Sequence, residues 1–65
     1  MLLALDIRTT TTVLGLFTGP GSRSELVCRW RLHTDPLLTA DEFALQLTGV
    51  LGEFAPRVTA VVALA

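Results

Sequence analysis

Residues 5 to 14 read Leu5-Asp6-Ile7-Arg8-Thr9-Thr10-Thr11-Thr12-Val13-Leu14, four consecutive threonines behind an aspartate and an arginine. Leu2 to Leu5 before it are apolar, and Val13 to Phe17 after it are apolar apart from Gly15. A single strand from Leu2 to Phe17 would run about 50 Å at the usual rise per residue, well past the common strand length of about 3–10 residues. The chain must therefore reverse. The only polar place for the reversal is Asp6 to Thr11, where the Asp6 carboxylate can accept from backbone amides two residues on.

Composition sets the wider limits. With 65 residues, the chain has room for one small domain, and such a size buries only about 60% of the surface its unfolded form exposes. A lone core this small rarely supplies more than about 3–5 kcal/mol. One cysteine, Cys28, and one histidine, His33, exclude a disulfide framework and a tetrahedral zinc site within one copy. The hydrophobic content of 51% and mean hydropathy of +0.60 imply a larger buried context, supplied by a partner or by more polypeptide.

A net charge of −1 gives no general attraction to nucleic acid or anionic lipid, so neither is expected as a partner. The longest uncharged run, Thr9 to Ser22, is broken by Gly19-Pro20-Gly21 and is too short to span a bilayer. The opening MLLALD has no basic flank and is not a secretory signal, so a cytoplasmic location is expected.

Beyond the reversal, Gly19-Pro20-Gly21-Ser22 marks a second turn. From Glu25 to Leu32 the pattern alternates, with Leu26, Cys28, Trp30 and Leu32 predicted on one face and Glu25, Val27, Arg29 and Arg31 on the other. Three antiparallel strands in a meander are expected. His33-Thr34-Asp35-Pro36 ends them, and Thr39 with Glu42 three residues later forms a capping box that opens a helix. Ala40, Phe43, Ala44, Leu47, Val50, Leu51 and Phe54 recur at helical spacing and define one apolar face, with Pro56 as the expected stop. Val58 to Ala65 is β-prone and, after a helical crossover, is expected to pair parallel to the first strand. The sequence stops inside that strand, so residues 1 to 65 are expected to be the front part of one longer α/β domain.

A strand ending in Asp6, a tight turn, a second strand ending in Phe17, then Trp30-Arg31 with Thr34 and Thr39-Ala40-Asp41-Glu42 together resemble the opening of a type III pantothenate kinase. The resemblance covers almost the whole chain. It implies an incomplete ribonuclease H-like domain of the actin-like ATPase kind, shared with acetate kinase, sugar kinases, Hsp70 and actin, in the order β-β-β-α-β. It also implies ATP-dependent phosphorylation of pantothenate, with Mg²⁺, a monovalent cation (K⁺ or NH₄⁺) and a homodimer.

In that family the first phosphate turn reads roughly D-x-G-N-T-[NR]. Matched residue by residue, Asp6 and Thr10 agree, while Arg8 stands for the glycine and Thr9 for the asparagine. The resemblance makes Asp6, Ile7, Arg8, Thr9, Thr10, Thr11, Thr12 and Val13 the nucleotide-contacting segment and Asp6 the magnesium ligand. Glycine at such a turn permits positive φ and close approach of amides to phosphate, whereas a side chain held left-handed costs about 1–2 kcal/mol. Two outcomes are open for Arg8: a bidentate grip on phosphate oxygens, or occupation of the space the phosphates need. The second makes the chain a non-catalytic remnant serving as a dimerising or regulatory module.

Plainer readings stand beside these. The threonines suit a strand start, Asp6 an Asx-turn, Thr39 and Glu42 a cap, and Asp41 the helix dipole. Trp30 is read as core, Arg29 and Arg31 as a solvated face or a subunit contact, His33 as a surface residue and Cys28 as inert. Lysine is absent, and with it any Walker-type loop. The family's catalytic base lies in a later G-x-D-R segment that these residues do not contain, so no catalytic residue is assigned and the 65 residues alone are expected to be inactive.

Overall fold

The computed structural model describes residues 1–64. Strands β1 (Leu2–Ile7), β2 (Thr11–Phe17) and β3 (Leu26–His33) are followed by helix α1 (Ala40–Leu51), a 3₁₀ helix (Gly52–Arg57) and strand β4 (Ala60–Leu64). They build an α/β unit with one mixed sheet in the order β3-β2-β1-β4. β1 and β2 pair antiparallel from Leu2↔Phe17 to Ile7↔Thr12, and β4 lies parallel to β1 from Leu2↔Ala60 to Asp6↔Leu64. The reversal, the meander and the parallel fourth strand are those the residue pattern predicts. Ala65, the last residue of the expected strand, lies outside the described residues.

Strand periodicity sends alternate residues to opposite faces. On one face Leu3, Leu5, Leu14 and Leu16 are buried, and Leu51 of α1 closes over them. Phe43, Leu47, Val50 and Phe54 pack onto this core from the helical side, as do Trp30 and Leu32 from β3. Ala40 and Ala44, included in the expected apolar face, stay exposed at the margin of the stripe. Among the described residues no helix covers the opposite face, where Ala4, Asp6, Val13 and Phe17 alternate with the core residues. β4 is exposed along its length.

The helix begins as its sequence dictates. Thr39 Oγ1 accepts from the Glu42 amide at 3.2 Å, and Glu42 Oε1 accepts from the Thr39 amide at 3.1 Å. Its end differs from expectation. The α-helix stops at Leu51 because Gly52 takes φ +56°, a conformation that favours glycine, and Pro56 sits inside the following 3₁₀ helix. Proline's fixed φ suits that turn, so Pro56 continues the backbone it was expected to break.

The alternation along β3 also needs correction. The register steps between Leu16 and Phe17, which pair with Cys28 and Leu26, leaving Val27 as the extra residue of a bulge. A bulge resets which face the chain presents. Leu26 therefore lies beside Gly15 and Phe17 on the uncovered side and is 53% exposed, while Cys28, Trp30 and Leu32 keep the predicted face. Among the described residues no helix is long and apolar enough to cross a membrane.

Candidate functional site

The first reversal is closed by the Arg8 amide donating to the Thr11 carbonyl at 3.0 Å. Among the described residues only Gly21 and Gly52 have positive φ. Arg8 and Thr9 thus turn the chain without left-handed geometry, and the strain expected from replacing a glycine does not arise.

Asp6 stands at the carboxyl end of β1, level with Leu64 at the carboxyl end of the parallel β4. In open α/β sheets ligands settle outside the carboxyl ends of parallel strands. The Asp6 carboxylate is held by Arg8: Nε donates to Oδ1 and Oδ2 at 3.3 Å each, and Nη2 donates to Oδ2 at 3.2 Å. This contact replaces the Asx-turn, since the oxygens accept from a side chain rather than from local amides. The hydrogen bond to Asp6 and then its charge raise the Arg8 pKa above its ordinary value, so the guanidinium is always charged. Both side chains face water, at 73% and 41% exposure. Such pairs are weak and readily exchanged for a better partner. Arg8 therefore neither lies free nor fills the turn; it folds back onto the carboxylate.

Two open cavities flank this pair. One of about 480 Å³ is lined by Asp6, Ile7, Arg8, Thr9 and Leu64 at the ends of the parallel strands. The other, of about 420 Å³, is lined by Asp6, Arg8, Thr10, Thr11, Val13 and Arg31 on the helix-free face. Seven of the eight segment residues thus gather around the Asp6–Arg8 pair. Thr12 does not: it is 3% exposed, faces the helical side, and its hydroxyl lies 2.8 Å from that of Thr34. Arg31 is the residue that the sequence left out. Its signal was the strand period, which puts Arg31 on the face opposite Trp30; which residue it would meet there depended on the register Asp6↔Val13↔Arg31.

Among the described residues no three His, Cys, Asp or Glu side chains converge on a metal site. One accessible carboxylate does suit magnesium that arrives with nucleotide phosphates, because that ion is commonly held by one or two carboxylates plus phosphate oxygens and water. A third cavity, of about 280 Å³, lies under the β3–α1 connection and is walled by Ile7, Thr12, Thr34, Leu38 and Phe43 among others.

No family model matches the chain. Curated relatives do. The type III pantothenate kinase of Nocardia farcinica (strain IFM 10152) is 52% identical over 64 residues, which is 98% of this chain and 24% of that protein. That of Rhodococcus opacus (strain B4) is 53% identical over the same share, and that of Mycolicibacterium smegmatis (strain ATCC 700084 / mc(2)155) is 49% identical over 59 residues. The chain spans about a quarter of the length of these relatives.

Proposed function

We propose that this chain, homologous to the N-terminal part of the type III pantothenate kinases, supplies the first phosphate-binding turn of an enzyme that transfers the γ-phosphate of ATP to pantothenate. The observation that carries this reading is the coincidence of two things: identity of about half over nearly the whole chain, and an accessible aspartate at the carboxyl ends of parallel strands with open space on both sides. The unit is read as the leading part of an actin-like, ribonuclease H-like domain, working as a cytoplasmic homodimer with a monovalent cation.

Phosphoryl transfer asks the protein chiefly for positioning and charge neutralisation. Asp6 is the residue to hold magnesium, which when bound neutralises the nucleotide's phosphate charge. The hydroxyls of Thr9, Thr10 and Thr11 offer donors at the turn, and Arg8 adds a fixed positive charge. The base that takes the proton from the attacking hydroxyl has no candidate among these residues and belongs to another part of the enzyme.

One observation favours the rival reading of a non-catalytic remnant: the Arg8 guanidinium already occupies the Asp6 carboxylate. Titrating ATP with magnesium into the purified full-length protein separates the two. The enzyme binds saturably, phosphorylates pantothenate, and loses about tenfold or more in affinity on Asp6→Asn. A remnant binds nothing until Arg8→Gly and Thr9→Asn are made together.

A further inference from the structure

Asp6, Val13 and Arg31 form one rung across β1, β2 and β3, paired in register and therefore on the same face of the sheet. Two inter-strand spacings separate the ends of the rung, about 10 Å between the backbones of Asp6 and Arg31. Among the described residues that face carries no helix. Arg8, two residues beyond Asp6, and Thr11, two residues before Val13, share it, and all of these line the cavity of about 420 Å³. Arg31 is exposed and forms no ion pair among the described residues. Two guanidinium charges against one carboxylate leave the cavity with one net positive charge.

We propose that Arg8 and Arg31 act as a two-sided clamp for a polyphosphate, with Arg31 a phosphate-binding residue on the helix-free face. This rests on the kinase reading and extends it to a residue outside the turn. Guanidinium forks match phosphate oxygens in bidentate geometry. The clamp also answers the loss of the glycine: side-chain donors in the turn after β1 and on β3 take the place of the turn's amides. Binding draws Arg8 from Asp6 to the phosphates, and the same exchange frees the carboxylate. Arg29 is the internal control. It stands on the same strand and face but two residues further from the turn, in register with Gly15, and lines an adjoining cavity that shares Asp6 and Val13 but contains neither Arg8 nor Arg31.

The test is calorimetric titration of the full-length protein with inorganic tripolyphosphate and, separately, with ATP and magnesium. Arg31→Gln and Arg8→Gln are each expected to weaken tripolyphosphate binding about tenfold or more, the size of losing a charge-assisted hydrogen bond, while Arg29→Gln stays near the parent. Arg31→Gln equal to the parent overturns the clamp, whether or not ATP binds. Equal losses in Arg29→Gln and Arg31→Gln overturn it too, since general charge then explains the effect. Tripolyphosphate binding that depends on Arg31, with no ATP binding, upholds the clamp and removes the kinase reading. Binding of neither ligand by the parent overturns both.

Discussion

The hydroxyls of Thr12 and Thr34 lie 2.8 Å apart across 22 positions of sequence, and the Thr34 amide donates to the Thr10 carbonyl at 3.0 Å. Together they fasten the start of β2 to the chain leaving β3. Thr12→Val keeps the shape, removes one hydroxyl and leaves the other short of a partner at a part-buried site. The expected cost is about 1–2 kcal/mol. Adding Thr34→Val should return part of it. Urea unfolding of the two single variants and the double variant reads the coupling, and strict additivity would deny that the pair is joined.

At the start of α1 the two reciprocal bonds between Thr39 and Glu42 satisfy amides that the helix cannot pair internally. Thr39→Ala is expected to lower stability by about 1 kcal/mol, and Thr39→Ser to retain most of it. Thermal unfolding followed at the helical circular dichroism band distinguishes them.

Arg8 and Asp6 present a different case. Their contact, 3.2 Å at its nearest, is bathed in solvent. Arg8→Ala is expected to leave the melting temperature unchanged at low and at high salt, because exposed ion pairs contribute little and are screened. A clear drop at low salt that vanishes at high salt would show that the pair supports the fold.

Leucines in this chain are not equivalent. Leu14 has no exposed surface, whereas Leu45 on α1 is 74% exposed. Leu14→Ala should cost about 2–5 kcal/mol through lost burial and a residual cavity, enough to melt a small domain's margin. Leu45→Ala should stay within about 0.5 kcal/mol. Denaturant midpoints of the two variants, measured side by side, test the contrast.

Much of the architecture was legible because its causes are local. Two apolar stretches that together are too long for one strand force a reversal at the polar Asp6 to Thr11 between them, and a threonine three residues before a glutamate announces a helix start. Leu26 went astray because a bulge at Val27 is settled by how β3 fits against β2, not by the spacing within β3. Pro56 misled because proline breaks an α-helix but fits a 3₁₀ turn, and Gly52 had already ended the helix. At the site, the resemblance singles out Asp6 with Thr9, Thr10 and Thr11, which the structure gathers around Asp6, and Thr12, which it turns to the helical side. Arg31 could not be picked out, since its place on the same rung as Asp6 depends on two strand registers at once, and the fold-back of Arg8 onto Asp6 is a choice among side-chain rotamers that no motif records.

Trp30 is the chain's single tryptophan, and the sequence contains no tyrosine. Its indole stands opposite Leu14 in register and packs against the core from β3. These residues thus carry their own fluorophore on the edge strand of the sheet, turned toward the core, with no competing phenol. A red shift of its emission on heating reports loss of the sheet's packed layer, and comparison with far-ultraviolet ellipticity shows whether α1 melts with that layer or ahead of it.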